Sequence, residues 1–222
     1  DPEELFGEDG LYYQNDDDGY ERAACIELIY SDGRKGCHAN CSIKPHARAW
    51  EENYTNPVEA VNLKRSFRLA FKEEYGCAKL KYPFFESAPV NSANAVAVFD
   101  KLVLRAGSNR SYAGKPALDQ TWTTYVEDQW GRDSQVAMSG VGSHGTFVHL
   151  YLNGVYWGIY NPCERPDEAF ASEYLGGEKE TWYSGKDGFD RSGDNTVWTN
   201  LLRTCANTNV DWTTLAAYTN IQ

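Results

Sequence analysis

Lys64 and Arg68 stand in a segment, Lys64 to Lys72, in which apolar and polar residues alternate. On an extended chain Phe67, Leu69 and Phe71 take one face, and Lys64, Ser66 and Arg68 take the other. An ammonium point charge and a guanidinium fork on one face suit the oxygens of a phosphate or another anion. The same pattern also describes a half-buried strand with a wet basic side. Arg105, just before Gly107, is a third cation, able to line a cleft or to anchor a turn. A different chemistry is offered by Cys37, His38, Cys41 and His46, because thiolates and imidazoles are the ligands that zinc and copper prefer. Their spacing fits no common zinc module, and in a strand Cys37 and Cys41 share a face while His38 points away. The cluster therefore reads as disulfide chemistry before metal, with His144 and His149 as further ligands if a metal is held. Asp128 and Asp133 could serve acid–base chemistry or orient neighbouring cations. No Gly-x-Ser-x-Gly elbow is present, which disfavours a serine hydrolase of that type. Asn15-Asp16-Asp17-Asp18-Gly19 resembles a calcium loop, but Gln14 and Cys25 fall where an EF-hand needs carboxylates, so it reads as a solvated acidic turn.

These residues need strands to hold them. Phe147 to Leu152 alternates, Asn153-Gly154 suits the centre of a type I′ turn, and Val155 to Tyr160 forms a return strand that Asn161-Pro162 is expected to stop. Glu164-Arg165-Pro166-Asp167 then leads into a helix over Glu168 to Leu175, which makes Glu164 a hinge residue with an arginine or backbone N–H partner. Ala24 to Tyr30 and Cys37 to Lys44 read as paired strands, the second ended by Pro45; Val96 to Leu104 reads as another strand. Ala49 to Val61 is a polar loop. Thr121 to Met138 has helical spacing, with Trp122 and Trp130 expected in the core, and Gly140 to Gly145 is a flexible link. Further helices are expected over Val197 to Cys205 and after Asp211, a plausible cap; Trp182 to Gly193 reads as a loop in which Asp187, Asp190 and Asp194 are poorly supported. The fold class is α+β, a mostly antiparallel sheet with helices packed on one side. Residues 1–20 form an acidic arm anchored by Leu5, Phe6, Leu11, Tyr12 and Tyr13.

The net charge of −11 argues against a nucleic-acid partner and against docking on anionic membranes, while leaving room for a local basic pocket. No apolar run is long enough to span a bilayer. The chain opens at Asp1, which reads as a trimmed mature chain or an excised domain. Cys25, Cys37, Cys41, Cys77, Cys163 and Cys205 make an even count, so most or all are expected to pair in an oxidising compartment, with the pairing open. Asn40, Asn53 and Asn109 head glycosylation sequons that count if the source is eukaryotic.

The hairpin Gly145 to Arg165 with its Glu164-Arg165-Pro166 exit is similar to the spore-coat protein H (CotH) kinase family, secreted and atypical kinase-like proteins. Leu5 to Tyr12, Lys64 to Leu69, Phe99 to Asn109 and Asp128 to Asp133 resemble the same family in order and spacing. The resemblance implies an atypical kinase-like first lobe over residues 21–160, and a hinge exit with a partial helical second lobe over 161–222. It also implies a secreted or cell-surface location, ATP and Mg²⁺ as cofactors, and a nucleotide- or anion-binding set of Lys64, Arg68, Arg105, Glu164 and His46. Where the family reads Gly-Ile-Arg-Ile-His-Gly-Gly, this chain reads Ser42 to Arg48: His46 aligns, but the glycines that let a backbone approach phosphates are missing. Arg110 stands where relatives carry an acidic residue, and no strand near the C-terminus supplies the family's metal-holding carboxylates. The expectation is a truncated or degenerate relative, a pseudokinase that is inactive or binds nucleotide weakly. An extracellular structural or binding glycoprotein on the same scaffold, and a secreted metal-binding protein using the Cys/His residues, are the alternatives. The protein partner or substrate is left open.

Overall fold

Period-two alternation builds the frame. Strands β1 (Arg22–Glu27), β2 (His38–His46), β3 (Ser66–Ala70), β6 (Lys101–Arg105), β7 (Val148–Leu152) and β8 (Val155–Glu164) form one antiparallel sheet in the order β1-β2-β3-β6-β8-β7. Two short strands between β3 and β6, β4 (Leu80–Lys81) and β5 (Val98–Phe99), pair as a separate ribbon. The computed structural model describes residues 2–12, 20–46, 64–107, 124–186, 189–192, 194–207 and 209–218. It divides into two units, Asp1–Pro166 and Asp167–Gln222.

Cross-strand register gives the sheet two unlike faces. On one, Phe67 lies opposite Leu104 and Leu69 opposite Leu102, and Phe67 stacks on Tyr160 with centroids 6.1 Å apart. Leu11, Cys41, Leu80, Phe85 and Phe99 complete this core. The expected arm is thus a packed element. Helix α1 (Pro2–Phe6) leads to Leu11, 2% exposed, and Tyr12 meets both Phe67 and Trp157. On the other face Lys44 lies opposite Arg68, Arg68 opposite Val103, and Val103 opposite Cys163. Helix α2 (Glu127–Ser139) joins that face through Gln129 and Arg132, both bonded to Asn161.

Several elements differ from the sequence reading. Pro45 lies inside β2, opposite Phe67; β1 has already ended its pairing at Ile43, so no ladder donor is needed on that side. Val96 to Leu104 is interrupted at Asp100, whose carbonyl accepts from Phe71 N at 2.8 Å. Asn161-Pro162 does not stop β8. The strand changes partner, leaving β7 after Tyr160 and pairing Asn161 to Glu164 with β6. Pro162 is tolerated because its own carbonyl accepts from Thr146 N, so its missing N–H would face that side and not β6. The expected helix from Thr121 begins at Glu127, and Trp130 is 71% exposed instead of buried, since Gln129 and Val136 take the inward positions. Trp122, Tyr13, Asn15 to Gly19, Ala49 to Val61, Asn53, Asn109 and Asp187 lie outside the described residues.

The hairpin turn is as read: Leu152 pairs with Val155, and Asn153 and Gly154 both have positive φ, 50° and 82°. The alternation beyond it is broken by a bulge, with Tyr151 opposite Tyr156 and Leu150 opposite Gly158. Trp157 is the extra residue; it turns inward, and its indole donates to Tyr12 Oη at 2.5 Å.

In the second unit, α3 (Glu168–Leu175) is capped by Asp167, which accepts from Ala169 N and Phe170 N. A ribbon of β9 (Ser184–Lys186) and β10 (Phe189–Ser192) replaces the expected loop, so Asp190, opposite Gly185, stands on a strand near the C-terminus where the sequence reading had none. Helices α4 (Thr196–Cys205) and α5 (Trp212–Ala216) follow, and Asp211 caps the latter by accepting from Thr214 N at 2.9 Å. Asp194 has a comparable structural task, accepting from the backbone and hydroxyl of Thr196, and these bonds hold its carboxyl below the usual range.

Candidate anion-binding face

β3, β6 and β8 set the geometry. Arg68 projects from the centre of β3, and Arg105, two residues beyond Arg68's partner Val103, ends β6 on the same face. Lys64 precedes β3, and its ammonium donates to the Ile159 carbonyl and to the Tyr125 hydroxyl, which itself donates to Ile159. It also lies 4.7 Å from the ring centroids of Tyr125 and Tyr160. Gly158 makes this approach possible: its φ is +110°, and a β-carbon there would stand 3.3 Å from Lys64 Cε. Tyr125 holds its position at φ 65°, a left-handed conformation that non-glycine residues adopt only at a cost. Partial burial lowers the Lys64 pKa from 10.5 to about 8 and raises that of Tyr125 to about 12.

Asp128 organises the middle of the face. It accepts from Arg105 and from Arg132, the latter at 3.1 Å. Arg132 also donates to Gln129 Oε1 at 2.9 Å and to Asn161 Oδ1. Asn161 Nδ2 donates to Gln129 Oε1 and to the Thr146 carbonyl, both at 2.7 Å, and Gln129 Nε2 donates to Asp133 Oδ1 at 2.7 Å. Of the two sequence readings, the orientation of cations fits Asp128, whereas Asp133 accepts from the amide of Gln129.

Glu164 lies elsewhere. Opposite Leu102, on the apolar face, it is 3% exposed, and its Oε2 accepts from His144 N at 2.7 Å and lies 3.0 Å from His144 Nδ1. It thus has the backbone partner expected of a hinge residue and lies on the face opposite Arg68 and Arg105. The expected flexible link, Gly140 to Gly145, is instead packed from Gly142 onward. Ser143 Oγ donates to Glu164 O at 2.7 Å, Glu164 N donates to His144 O, and Gly145 bridges to Cys163. Gly145 is required by packing, since a β-carbon there would stand 2.2 Å from Gln129 Oε1.

The Cys/His candidates are dispersed. Cys41 is fully buried on the core side, its thiol pushed up to about 12 by burial, while His46 closes β2 on the polar side, opposite Ser66. His38 Nε2 lies 2.8 Å from Cys25 Sγ, and His149 Nδ1 lies 3.0 Å from Tyr156 Oη. Among the described residues no group of three or more His, Cys, Asp and Glu is placed to hold a metal ion. All six cysteines are free thiols, contrary to the expected pairing. Register is one reason: Cys25 lies opposite Asn40 and Cys41 opposite Ala24, so these two leave opposite faces of neighbouring strands. Asn40 is exposed but sits within β2 with its side chain against Gly76, not on a loop tip.

Arg132, Asn161 and Lys44 escaped the sequence reading. The only signal for Arg132 was its place one helical turn after Asp128; Asn161 was masked by the proline after it. Lys44, 7% exposed, had no signal beyond its place before Pro45. No helix is long and apolar enough to cross a membrane among the described residues.

A family model described as CotH kinase protein matches residues 136–221. Neither the curated proteins nor the solved structures give a match. The matched stretch contains the end of α2, the packed segment before the hairpin, Glu164 and most of the second unit, and leaves Lys64, Arg68, Arg105 and His46 outside it. The resemblance to the CotH kinase family therefore holds from residue 136 to residue 221.

Proposed function

We propose that this CotH-kinase-like protein uses the polar sheet face to hold phosphate-bearing ligands weakly, without transferring phosphate, and that it works outside the cytoplasm. The observation that carries the reading is that Arg68 and Arg105 share the polar face of the sheet, with Lys64 at the edge of β8 beside Ile159, in a chain of net charge −11. The residues fit phosphate better than they fit Mg²⁺. Lys64 and Arg105 are cations that can exchange an internal acceptor for a phosphate oxygen. The nearby carboxylates are committed, Asp128 to two arginines and Asp133 to Gln129. Because Lys64 and Arg105 must give up those acceptors, much of the gain from the ligand is cancelled, and binding is weak. The extracellular location rests on the family likeness alone.

Calorimetry with ATP, with and without Mg²⁺, tests the reading on the wild type and on a Lys64→Ala, Arg68→Ala double variant. The expected Kd for the wild type is about 0.1 mM or weaker, with binding lost in the double variant and no autophosphorylation. Phosphate transfer or tight binding would refute the inactive reading, and unchanged binding in the double variant would remove Lys64 and Arg68 from the site. Recovery of the natural protein in the cytosol alone would refute the location.

A binding role on the same scaffold is favoured by one observation: the outer side of the hairpin exposes Phe147, Tyr151, Tyr156 and Ile159 together. Replacing both tyrosines by serine leaves ATP binding unchanged under this second reading and abolishes retention on the natural cell surface.

A further inference from the structure

Away from the cationic network, on the β1 side of the sheet, one cysteine differs from the other five. Cys25 lies opposite Asn40, and His38, two residues before Asn40, shares their face. The result is a contact of 2.8 Å between Cys25 Sγ and His38 Nε2. Among the described residues, no other thiol has an imidazole within hydrogen-bond reach: Cys77 donates to the Asn40 carbonyl, and Cys205 is exposed with no such neighbour. Glu27 stands directly opposite His38 in the register, a third group on the same face. β1 is an edge strand and Cys25 is exposed, so a reagent can reach the sulfur.

We propose that Cys25 is a nucleophilic thiol with His38 as its base, and that it exchanges with the disulfides of small thiols. The imidazole takes the thiol proton, and the thiolate attacks one sulfur of R–S–S–R. The Cys25–S–S–R bond forms as the R–S–S–R bond breaks. The departing thiolate recovers the proton from His38 and leaves as R–SH, so Cys25 is oxidised as one half of the disulfide is reduced. A disulfide co-reactant is what an oxidising compartment supplies. His38 acts through Cys25 and is a positioning and proton-handling residue. The other titratable groups around this pair are Glu27 on β1, Cys41 on β2, whose thiol feels those of Cys25 and Cys77, and Cys77 with Glu73, Glu74 and Tyr75 on the turn packed against β2.

The full chain, reduced and desalted, is mixed with the aromatic disulfide of thionitrobenzoate or with glutathione disulfide. Absorbance follows the exchange, and peptide mass mapping locates each adduct. Cys205 is the internal control, since it is also exposed but lacks the imidazole. The expected result is an adduct on Cys25 roughly tenfold or more ahead of Cys205. His38→Gln brings Cys25 down to the rate of Cys205 and leaves Cys205 itself unchanged. The pH–rate profile of Cys25 differs between the wild type and His38→Gln, whereas that of Cys205 is the same in both. Cys25→Ser removes the fast phase and nothing else. Equal rates at Cys25 and Cys205 in the wild type, or an unchanged Cys25 rate in a folded His38→Gln variant, would overturn the proposal.

Discussion

The two halves of β8 reverse the usual order. From Val155 to Ile159 the strand is apolar and aromatic, yet Val155, Tyr156 and Ile159 are exposed. From Tyr160 to Glu164 it is interrupted by Asn, Pro and Glu, yet every residue is buried. The difference lies in the neighbours. The first half pairs only with β7, and a two-stranded ribbon has one face that nothing covers. The second half has β6 on one side and residues 144–146 on the other, with α2 above, so its polar groups find fixed partners. Burial therefore follows the number of flanking elements and not the hydropathy of the strand, and the polar half is where substitutions should cost most.

Glu164→Ala is the strongest test of that contrast. Removing one member of a buried pair leaves His144 facing an apolar cavity, an expected loss of about 3 kcal/mol in urea unfolding. Glu164→Gln retains one acceptor for His144 N and loses clearly less. Equal, small effects from both would show that the segment before the hairpin is not held by this carboxylate. Asn161→Ala follows, because it strips partners from Arg132, Gln129 and the Thr146 carbonyl at once. Its expected cost is roughly 1–3 kcal/mol, and Arg132, freed from Asn161, should then raise affinity for phosphate, measurable by calorimetry. At the other end of the strand Gly154→Ala meets no neighbouring atom, so only the φ of 82° opposes it. The expected cost is about 1 kcal/mol; a cost comparable to Glu164→Ala would mean that the hairpin tip is as constrained as the buried half.

The sequence made the hairpin legible down to its turn residues, because Asn153-Gly154 is a local backbone requirement that no tertiary contact needs to complete. It also made the faces of β3 legible, since Phe67, Leu69 and Phe71 must be buried together and the cations follow by period. What escaped depended on partners distant in sequence. Pro45 and Pro162 looked like stops because a proline is harmful only where a ladder donor is needed, and that depends on which neighbour lies on that side. Trp157 escaped because a single bulged residue shifts the phase of the alternation. Trp130 looked like core, but the same helix turned Gln129 inward to serve Asn161 and Arg132. At the site, the face of Arg68 was legible from the period of β3, while the contacts of Lys64 with the Tyr160 ring and the Ile159 carbonyl, and of Arg105 with Asp128, were not.

The smallest expected effect concerns Lys64, which stands where the exposed half of β8 meets the buried half. Its folded-state pKa is about 8, against 10.5 for an ordinary lysine, and partial burial is the cause. Below pH 8 the ammonium is present in both folded and unfolded chains, and its partial desolvation opposes folding. Between about pH 8 and 10.5 the unfolded chain binds more protons than the folded one, so this residue makes stability rise with pH across that window. Tyr125 works in the opposite direction but later: its pKa is raised to about 12, so it favours the folded state below pH 10 and gives that up above. The buried thiols Cys37, Cys41 and Cys163, held above their ordinary value by burial, pull stability down in the same interval from pH 8 to 10, so the Lys64 contribution is read as a difference between two chains. In urea unfolding at steps across that interval, Lys64→Met should show a lower slope against pH than the wild type. Since Lys64 is only half-buried, solvent screening keeps the slope shallow. Identical slopes in the wild type and Lys64→Met would show that its ammonium is solvated at the strand junction, and would weaken its candidacy as the cation that meets a ligand there.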